Sequence, residues 1–255
     1  MSTLLSALQL LPAPKKCAIL KIGKQSVIND TSFSIDNHPV QELPTFRDLG
    51  VIIANDLKWS NHISCITHKA SVTSYQLRKS IKSKNIWTWI KVYKTYIRPK
   101  LEFNTPIWSP PHNKDNQDSI LLESIQRKFL KFAFKKCSVP FSDYSDRLYK
   151  INLLSLLNRR IYFDLVLIFK IINNISDLLF DDYFISSNTP YLLRRHNLQI
   201  KSKLNIKTSQ WANSFFGRVP SLWNNLPTNL VEIEKLEVFK INIKSHLLNL
   251  QLKSP

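Results

Sequence analysis

Glycine is scarce in this chain, with only three among 255 residues: Gly23, Gly50 and Gly217. Phosphate-cradling loops of the G-x-G-x-x-G and G-x-x-x-x-G-K-S/T types need glycines at short spacing, because the backbone must approach the phosphate closely. Neither pattern can be written from glycines so far apart. The sequence therefore excludes nucleotide-binding loops of both kinds.

Cysteines are also few, and Cys17, Cys65 and Cys137 lie far apart. An odd number without any C-x-x-C pair argues against a disulfide framework and fits a reducing compartment. No run of apolar residues reaches the roughly 18 needed to cross a bilayer. Residues 1–15 resemble a signal peptide only weakly, since they lack a basic start and contain two prolines. We therefore expect an intracellular protein without a membrane partner.

Acidic residues are scarce relative to basic ones: 18 Asp and Glu stand against 36 Lys and Arg, giving a net charge of +18. Residues 61–170 carry 20 of the basic residues but only 7 of the acidic ones. A well-solvated surface is one explanation of such an excess, but its size and clustering favour a polyanionic partner. The charge balance predicts binding to nucleic acid, and nothing in the sequence indicates a small-molecule substrate.

The hydrophobic pattern changes period near residue 60. Before it, short apolar runs separated by turn residues predict strands, including one over residues 46–53 with an internal glycine. After it, helical spacing predicts helices over about 63–81, 86–97, 117–134 and 153–172, the second ending before Pro99. Residues 173–209 are predicted as irregular loops, followed by short helices over 211–216 and 236–248. The expected fold class is mainly α with a small N-terminal β element (α+β).

Basic side chains cluster on the first three predicted helices. We expect them to line one face and to neutralise phosphates without reading bases. The candidate nucleic-acid-binding residues are Lys69, Arg78, Lys79, Lys82, Arg98, Arg127, Lys128 and Lys131.

Two other groups have competing interpretations. The spacing of His62, Cys65 and His68 on a helix makes a metal site conceivable, although three ligands are fewer than zinc usually takes, and helix packing is favoured. Tryptophans 87, 89 and 108 lie beside the basic residues. Stacking on unpaired bases is one role for them, and core packing is the favoured one.

A series of strings, in order along the chain, matches motifs of one protein family. Residues 14–23 resemble N-P-K-K-C-x-x-L-x-I-G, and residues 46–51 resemble Y-K-D-L-G-V. Residues 93–103 are similar to Y-K-T-Y-V-R-P-x-L-E-Y. Further similar strings begin at residues 59, 106, 123, 144, 159 and 223. Together the strings resemble the C-terminal half of reverse transcriptases of non-long-terminal-repeat retrotransposons (LINE-type, jockey-like or chicken-repeat-like), in which the string at residues 46–51 is the primer grip.

The resemblance implies an architecture and a partner. It implies a palm remnant with a primer-grip-like strand over residues 1–60, a basic helical thumb-like domain over 61–175, and a C-terminal helical extension with irregular loops over 176–255. The primer-grip-like residues would be Phe46, Asp48, Leu49 and Gly50. The implied partner is an RNA–DNA or DNA duplex, or RNA, and the implied location is the nucleus.

The chain departs from this family at the catalytic motif. The family's Tyr-x-Asp-Asp would precede residue 15, and the chain starts too late to contain it. Asp181 and Asp182 follow Leu179-Phe180 instead, in a region predicted as a solvated loop. We therefore expect no catalytic residue, no metal and no cofactor in this chain, Mg²⁺ belonging only to a full-length parent polymerase. Two alternatives stay open: the product of a decayed element without selected function, and a host-adopted basic helical RNA-binding protein.

Overall fold

The structure, a computed structural model, describes residues 13, 16–23, 33–35, 38–186, 198–204 and 206–253. The chain forms two compact units, Met1–His62 and Ile63–Pro255. Helices predominate among the described residues and strands are short, so the predicted fold class is confirmed. No helix in these ranges is both long and apolar enough to cross a membrane.

Short strands make up the described part of the smaller unit. Three two-stranded pairings occur there: β1 with β4 in parallel, and β2 with β3 and β5 with β6 antiparallel. A strand expected at residues 27–28 lies outside the described residues. The strands are β1 (Ala18–Ile19), β2 (Ser34–Ile35), β3 (His38–Pro39), β4 (Gln41–Glu42), β5 (Thr45–Asp48) and β6 (Val51–Ala54).

The single strand predicted over residues 46–53 was wrong, because the chain turns back in the middle of it. Asp48 pairs with Val51, so Leu49 and Gly50 form a two-residue hairpin turn. Both have positive φ, 43° at Leu49 and 91° at Gly50, as a type I′ turn requires. The glycine therefore closes a turn instead of marking a bulge.

Helices form most of the described part of the larger unit, which also contains one pair of short strands. The helix bounds predicted over 117–134 and 153–172 agree with α5 and α7 to within a few residues. The elements are α1 (Ser60–Ser80), α2 (Ile86–Val92), a π-helix (Tyr93–Ile97), α3 (Arg98–Glu102), α4 (Thr105–Trp108), α5 (Gln117–Lys136), α6 (Tyr144–Lys150), α7 (Leu156–Ile172), α8 (Phe180–Tyr183), β7 (Phe184–Ser186), β8 (Ile200–Ser202), α9 (Ser209–Asn213), α10 (Phe215–Asn224), α11 (Thr228–Val231) and α12 (Leu236–Lys253).

Side-chain caps determine where the central helices begin. The Asn116 side chain accepts a hydrogen bond from Ser119 N at 3.1 Å, and that of Ser155 accepts one from Asn158 N at 3.1 Å. The carboxylate of Glu123 in α5 also accepts from Leu156 N and Leu157 N, each at 3.2 Å. The start of α7 is thereby attached to α5 by charge-assisted hydrogen bonds.

Pro99 does not end the second predicted helix, contrary to expectation. The backbone passes through the π-helical turn Tyr93–Ile97 and continues as α3, with Pro99 in the first turn of that helix. Proline is tolerated there because a first-turn residue has no helical hydrogen bond to lose. The wider turn, closed by the bond from Arg98 N to Tyr93 O, separates the two helices.

Regular structure also occurs in the region predicted as irregular loops. Strands β7 and β8 pair antiparallel, with Ile185 opposite Lys201, and α8 directly precedes β7. Each strand has only three residues, too few for the alternating pattern that identifies a strand in sequence.

A hydrophobic core of the larger unit is centred on α7, whose sequence is apolar on most of its circumference. Ile168 and Phe169 are fully buried there against Trp223 of α10 and Phe239 of α12. The Phe169 and Phe239 rings stack with centroids 4.2 Å apart. Helices on both sides of residue 175 thus contribute to one core, and each buried aromatic side chain contributes roughly 1.5–3 kcal/mol.

A buried ion pair joins three segments beside this core. Asp164 of α7 is 1% exposed and accepts two hydrogen bonds from Arg218 of α10, at 2.7 and 2.8 Å. The same guanidinium donates to the carbonyls of Asn213 at 2.6 Å and Pro106 at 2.9 Å. Burial raises the pKa of Asp164, and the bonds from Arg218 oppose that shift.

His112 lies at the edge of this pair as a neutral imidazole. Its Nε2 is 3.5 Å from the carboxylate of Asp164 and 3.3 Å from Ser109 Oγ. Burial, with the nearby guanidinium groups of Arg218 and Arg160, lowers the pKa of His112 to about 3.

We expect Asp164→Asn to destabilise the protein on the order of 3 kcal/mol, because it leaves the buried Arg218 without a counter-charge. Urea unfolding followed by circular dichroism measures this free energy. Glu237→Gln is the matched control, since Glu237 pairs with Lys240 at 2.6 Å but is 78% exposed. An equal loss in both variants would contradict the role of the buried pair.

We expect the stability to fall as the pH falls from about 7 to 5, partly through His112. The unfolded imidazole takes up a proton near its ordinary pKa of 6.5, whereas the native one does so only near 3. The unfolded state therefore binds more protons across this window, and the slope rises towards about 1.4 kcal/mol per pH unit as the unfolded imidazole becomes fully protonated. His112→Gln should flatten the dependence of the unfolding free energy on pH; an unchanged slope would contradict a neutral, buried His112.

Candidate nucleic-acid interface

The basic residues predicted on the first helix do not form one stripe. Nine residues separate Lys69 from Arg78, about two and a half helical turns, so their side chains leave α1 on opposite flanks. Lys79 is exposed and lies over the Tyr75 ring at 4.6 Å. Lys82 follows the end of α1 at Ser80 and is not on the helix as predicted.

Arg98 is held within the fold by an acidic neighbour. Its Nε lies 3.6 Å from Glu102 Oε2, one turn further along, and its side chain is 22% exposed. Glu102 also accepts two hydrogen bonds from Arg159 of α7, both at 2.7 Å. One carboxylate thus fixes two guanidinium groups at the junction of α3 and α7.

The cations predicted on α5 share one exposed face. By helical periodicity, Arg127, Lys128, Lys131 and also Lys135 fall within an arc of roughly 100° over a length of about 12 Å. The opposite side carries buried residues such as Phe129 and is directed to the core. Among the described residues, no carboxylate forms an ion pair with these four cations.

Aromatic rings extend this face onto α1 and α6. The Arg78 guanidinium lies 4.9 Å from the ring centre of Phe132, next to the lysines of α5. On the other flank, Arg127 lies over Tyr144 at 4.8 Å, and Arg147 lies over Phe141 at 4.6 Å. We call this surface the basic belt, and it consists of Arg78, Arg127, Lys128, Lys131 and Lys135. Arg147 is only 5% exposed and lies buried at its edge.

The guanidinium groups of Arg78 and Arg147 are withdrawn from water, the first in part and the second almost fully. Burial lowers the pKa of Arg78 and of Arg147, although both stay charged at neutral pH. In the described part of the chain, their buried Nε atoms have no hydrogen-bond partner. Acidic neighbours at the belt's edge are Asp143, which caps α6, and Asp146, which pairs with Lys150 at 2.9 Å. A partly desolvated guanidinium such as that of Arg78 interacts more strongly with an approaching anion than a fully solvated one does.

Sequence reasoning missed Lys135 as a belt member. Lys135 follows Lys131 by four residues and Lys128 by seven, which places all three on one helix face, and that spacing was the available signal. The position of Arg147 at the belt's edge carries no such signal, because it depends on how α6 packs against α5.

The three tryptophans divide between core and surface. Trp89 and Trp108 are fully buried, and their indole nitrogens donate to Ser83 O at 2.9 Å and Phe103 O at 2.6 Å. Core packing is therefore confirmed for these two. Trp87 is 60% exposed, so its ring is open to solvent.

The side chains of the conceivable metal site do not converge. His62 is 2% exposed and its Nδ1 accepts a hydrogen bond from Ile52 N at 3.2 Å. His68 is exposed on the same helix, and Cys65 is half-buried. Among the described residues, no cluster of three histidine, cysteine or acidic side chains forms a metal-binding arrangement.

The remaining predicted residues lie away from the belt in the sequence. Phe46 and Asp48 are in β5, and Leu49 with Gly50 forms the hairpin tip, where the Leu49 side chain is 85% exposed. Asp181 and Asp182 are exposed on the one-turn helix α8.

Comparison with known proteins finds one curated relative of note. An uncharacterized protein of Caenorhabditis elegans is 25% identical over 115 residues, which are 45% of this chain and 57% of that protein. The chain thus spans little more than half the length of that relative. No protein-family profile and no solved structure matches the chain. The resemblance to reverse transcriptases stays a prediction.

Proposed function

We propose that this chain binds the sugar-phosphate backbone of a nucleic-acid duplex through the basic belt, as the thumb-like part of a non-long-terminal-repeat reverse transcriptase. The observation that carries the proposal is the cationic face shared by α1 and α5, in which Arg78 rests on Phe132 and Arg127 rests on Tyr144 of α6. The resemblance of the sequence strings to that family supports it independently.

The spacing of the belt suits a polymer of regularly spaced charges. One strand of a duplex carries a phosphate about every 3.4 Å of axis, so the roughly 12 Å face on α5 spans about three or four phosphates of one strand. Arginines bind phosphate with two parallel hydrogen bonds, and lysines act as point charges. Contacts of this kind position a duplex without reading its sequence.

The aromatic rings make the arginines of the belt better phosphate ligands. A guanidinium resting on a ring has already lost part of its rotamer freedom, so less entropy is lost on binding. Its partial burial also strengthens attraction to a phosphate, since the local dielectric is below that of water. A merely solvated basic surface has neither property.

We expect Lys128→Gln/Lys131→Gln/Lys135→Gln to weaken duplex binding by tenfold or more and to reduce the slope of log K against log salt by about two to three. Fluorescence anisotropy with a labelled RNA–DNA hybrid, measured across a salt series, gives both quantities. The control is Lys114→Gln/Lys201→Gln/Lys235→Gln, which removes the same charge at exposed positions outside the belt. Equal weakening by the control would show that net charge, not the belt, governs binding.

We expect the full chain with Mg²⁺ and all four deoxynucleotides to leave a primer annealed to an RNA template unextended. The reason is that the family's paired catalytic carboxylates find no counterpart at the matching position of this sequence. Gel analysis of labelled primer tests this, with an active reverse transcriptase as positive control. Incorporation abolished by Asp181→Asn/Asp182→Asn would show that these two residues form the catalytic pair.

A further inference from the structure

A second concentration of positive charge lies in a cleft that shares no residue with the basic belt. The cleft has a volume of about 180 Å³, many times the roughly 10–15 Å³ that one water needs. It is formed by the π-helix, the start of α3, the loop after α6, α7 and α12. Its lining residues are Lys94, Arg98, Asn152, Leu153, Leu154, Arg159, Tyr162 and Lys244.

Four of these lining side chains are cationic and come from separate elements. Lys94 belongs to the π-helix, Arg98 to α3, Arg159 to α7 and Lys244 to α12. In the described ranges the one carboxylate paired with any of them is Glu102, which contacts Arg98 and Arg159. The cleft therefore has three positive charges in excess of its acidic partner.

Glu102 also holds the two arginines in place. It takes the Nε and Nη2 hydrogens of Arg159, each at 2.7 Å, and lies 3.6 Å from Arg98 Nε. The Arg159 guanidinium rests on the Phe163 ring at 4.6 Å. Because Glu102 already holds them, the guanidinium groups of Arg98 and Arg159 lose little further conformational freedom when an anion binds.

The like charges in the cleft repel one another when no anion is bound. Burial lowers the pKa of Lys94, and the charges of Arg98, Lys244 and Arg159 lower it further. Such mutual repulsion costs free energy in the native state, and a bound anion relieves it.

We infer that this cleft binds a phosphate group carrying two negative charges, with Lys94 and Lys244 as mobile ligands and Arg98 and Arg159 as fixed ones. A phosphate monoester carries a charge of about −1.5 to −2 at pH 7, so it matches the excess charge better than an internal phosphodiester does. Two sources have this chemistry: free inorganic phosphate or pyrophosphate, and the 5′-phosphorylated end of a nucleic acid.

Isothermal titration of the full chain tests the inference, using inorganic phosphate and pyrophosphate at low salt in a phosphate-free buffer. We expect binding by the wild type and about tenfold weaker binding by Lys94→Gln/Lys244→Gln, which corresponds to about 1.4 kcal/mol for the two lost contacts together. The control Lys91→Gln/Lys235→Gln removes two exposed charges outside the cleft and should bind within twofold of wild type.

A second arm separates the two sources and keeps the inference apart from the proposed function. A preference for a 5′-phosphorylated over a 5′-hydroxyl oligonucleotide, lost in Lys94→Gln/Lys244→Gln, would assign the cleft to nucleic-acid ends. Binding of the free anions without that preference would assign it to soluble phosphate. The belt variant Lys128→Gln/Lys131→Gln/Lys135→Gln should bind phosphate normally. No heat with either anion, or equal weakening by the control, would overturn the inference.

Discussion

The ion pair of Asp164 and Arg218 is the constraint on which the larger unit depends. One guanidinium binds the Asp164 carboxylate and two backbone carbonyls, those of Asn213 and Pro106. These groups belong to α7, α9 and α4, so the contact brings together segments separated by more than a hundred residues. Because α4 leads through the proline loop into α5, the pair also helps to place the helix that carries most of the basic belt.

Further polar contacts fix the first turn of α5 relative to this ion pair. Arg160, one turn before Asp164, donates to Ser119 Oγ at 3.0 Å in the first turn of α5. Ser119 Oγ in turn donates to Pro111 O at 3.3 Å in the proline loop. Burial lowers the pKa of Arg160 to about 10, so it keeps its charge near neutral pH. A buried charge is tolerated here because its neighbours compensate it, and the orientation of α5 follows from that compensation.

Local sequence determined what could be predicted. The bounds of α5 followed from the helical period, and the cationic face of α5 followed from the same period. The hairpin at Leu49–Gly50, the passage of the chain through Pro99, and the strands β7 and β8 depend on short or unusual backbone geometry that periodicity does not encode.

The belt was only partly predictable for a different reason. Lys128 and Lys131 were found because neighbouring helical turns place them together, which is a property of one element. Arg78 belongs to the belt because its guanidinium, which extends from α1, rests on Phe132 of α5, and this contact depends on how the two helices pack. Arg98 was predicted to bind nucleic acid from its charge alone, but its side chain lies beside Glu102 and lines the cleft.

Net charge alone does not distinguish the two basic sites, and the position of one carboxylate does. The belt spreads its charges along an exposed helix face without paired carboxylates, so it matches a ligand whose charges repeat along a line. The cleft gathers charges from four elements around Glu102, so it matches one compact anion. Rings support arginines at both sites, since Arg159 rests on Phe163 as Arg78 rests on Phe132. The difference therefore arises from Glu102, which holds Arg98 and Arg159 together.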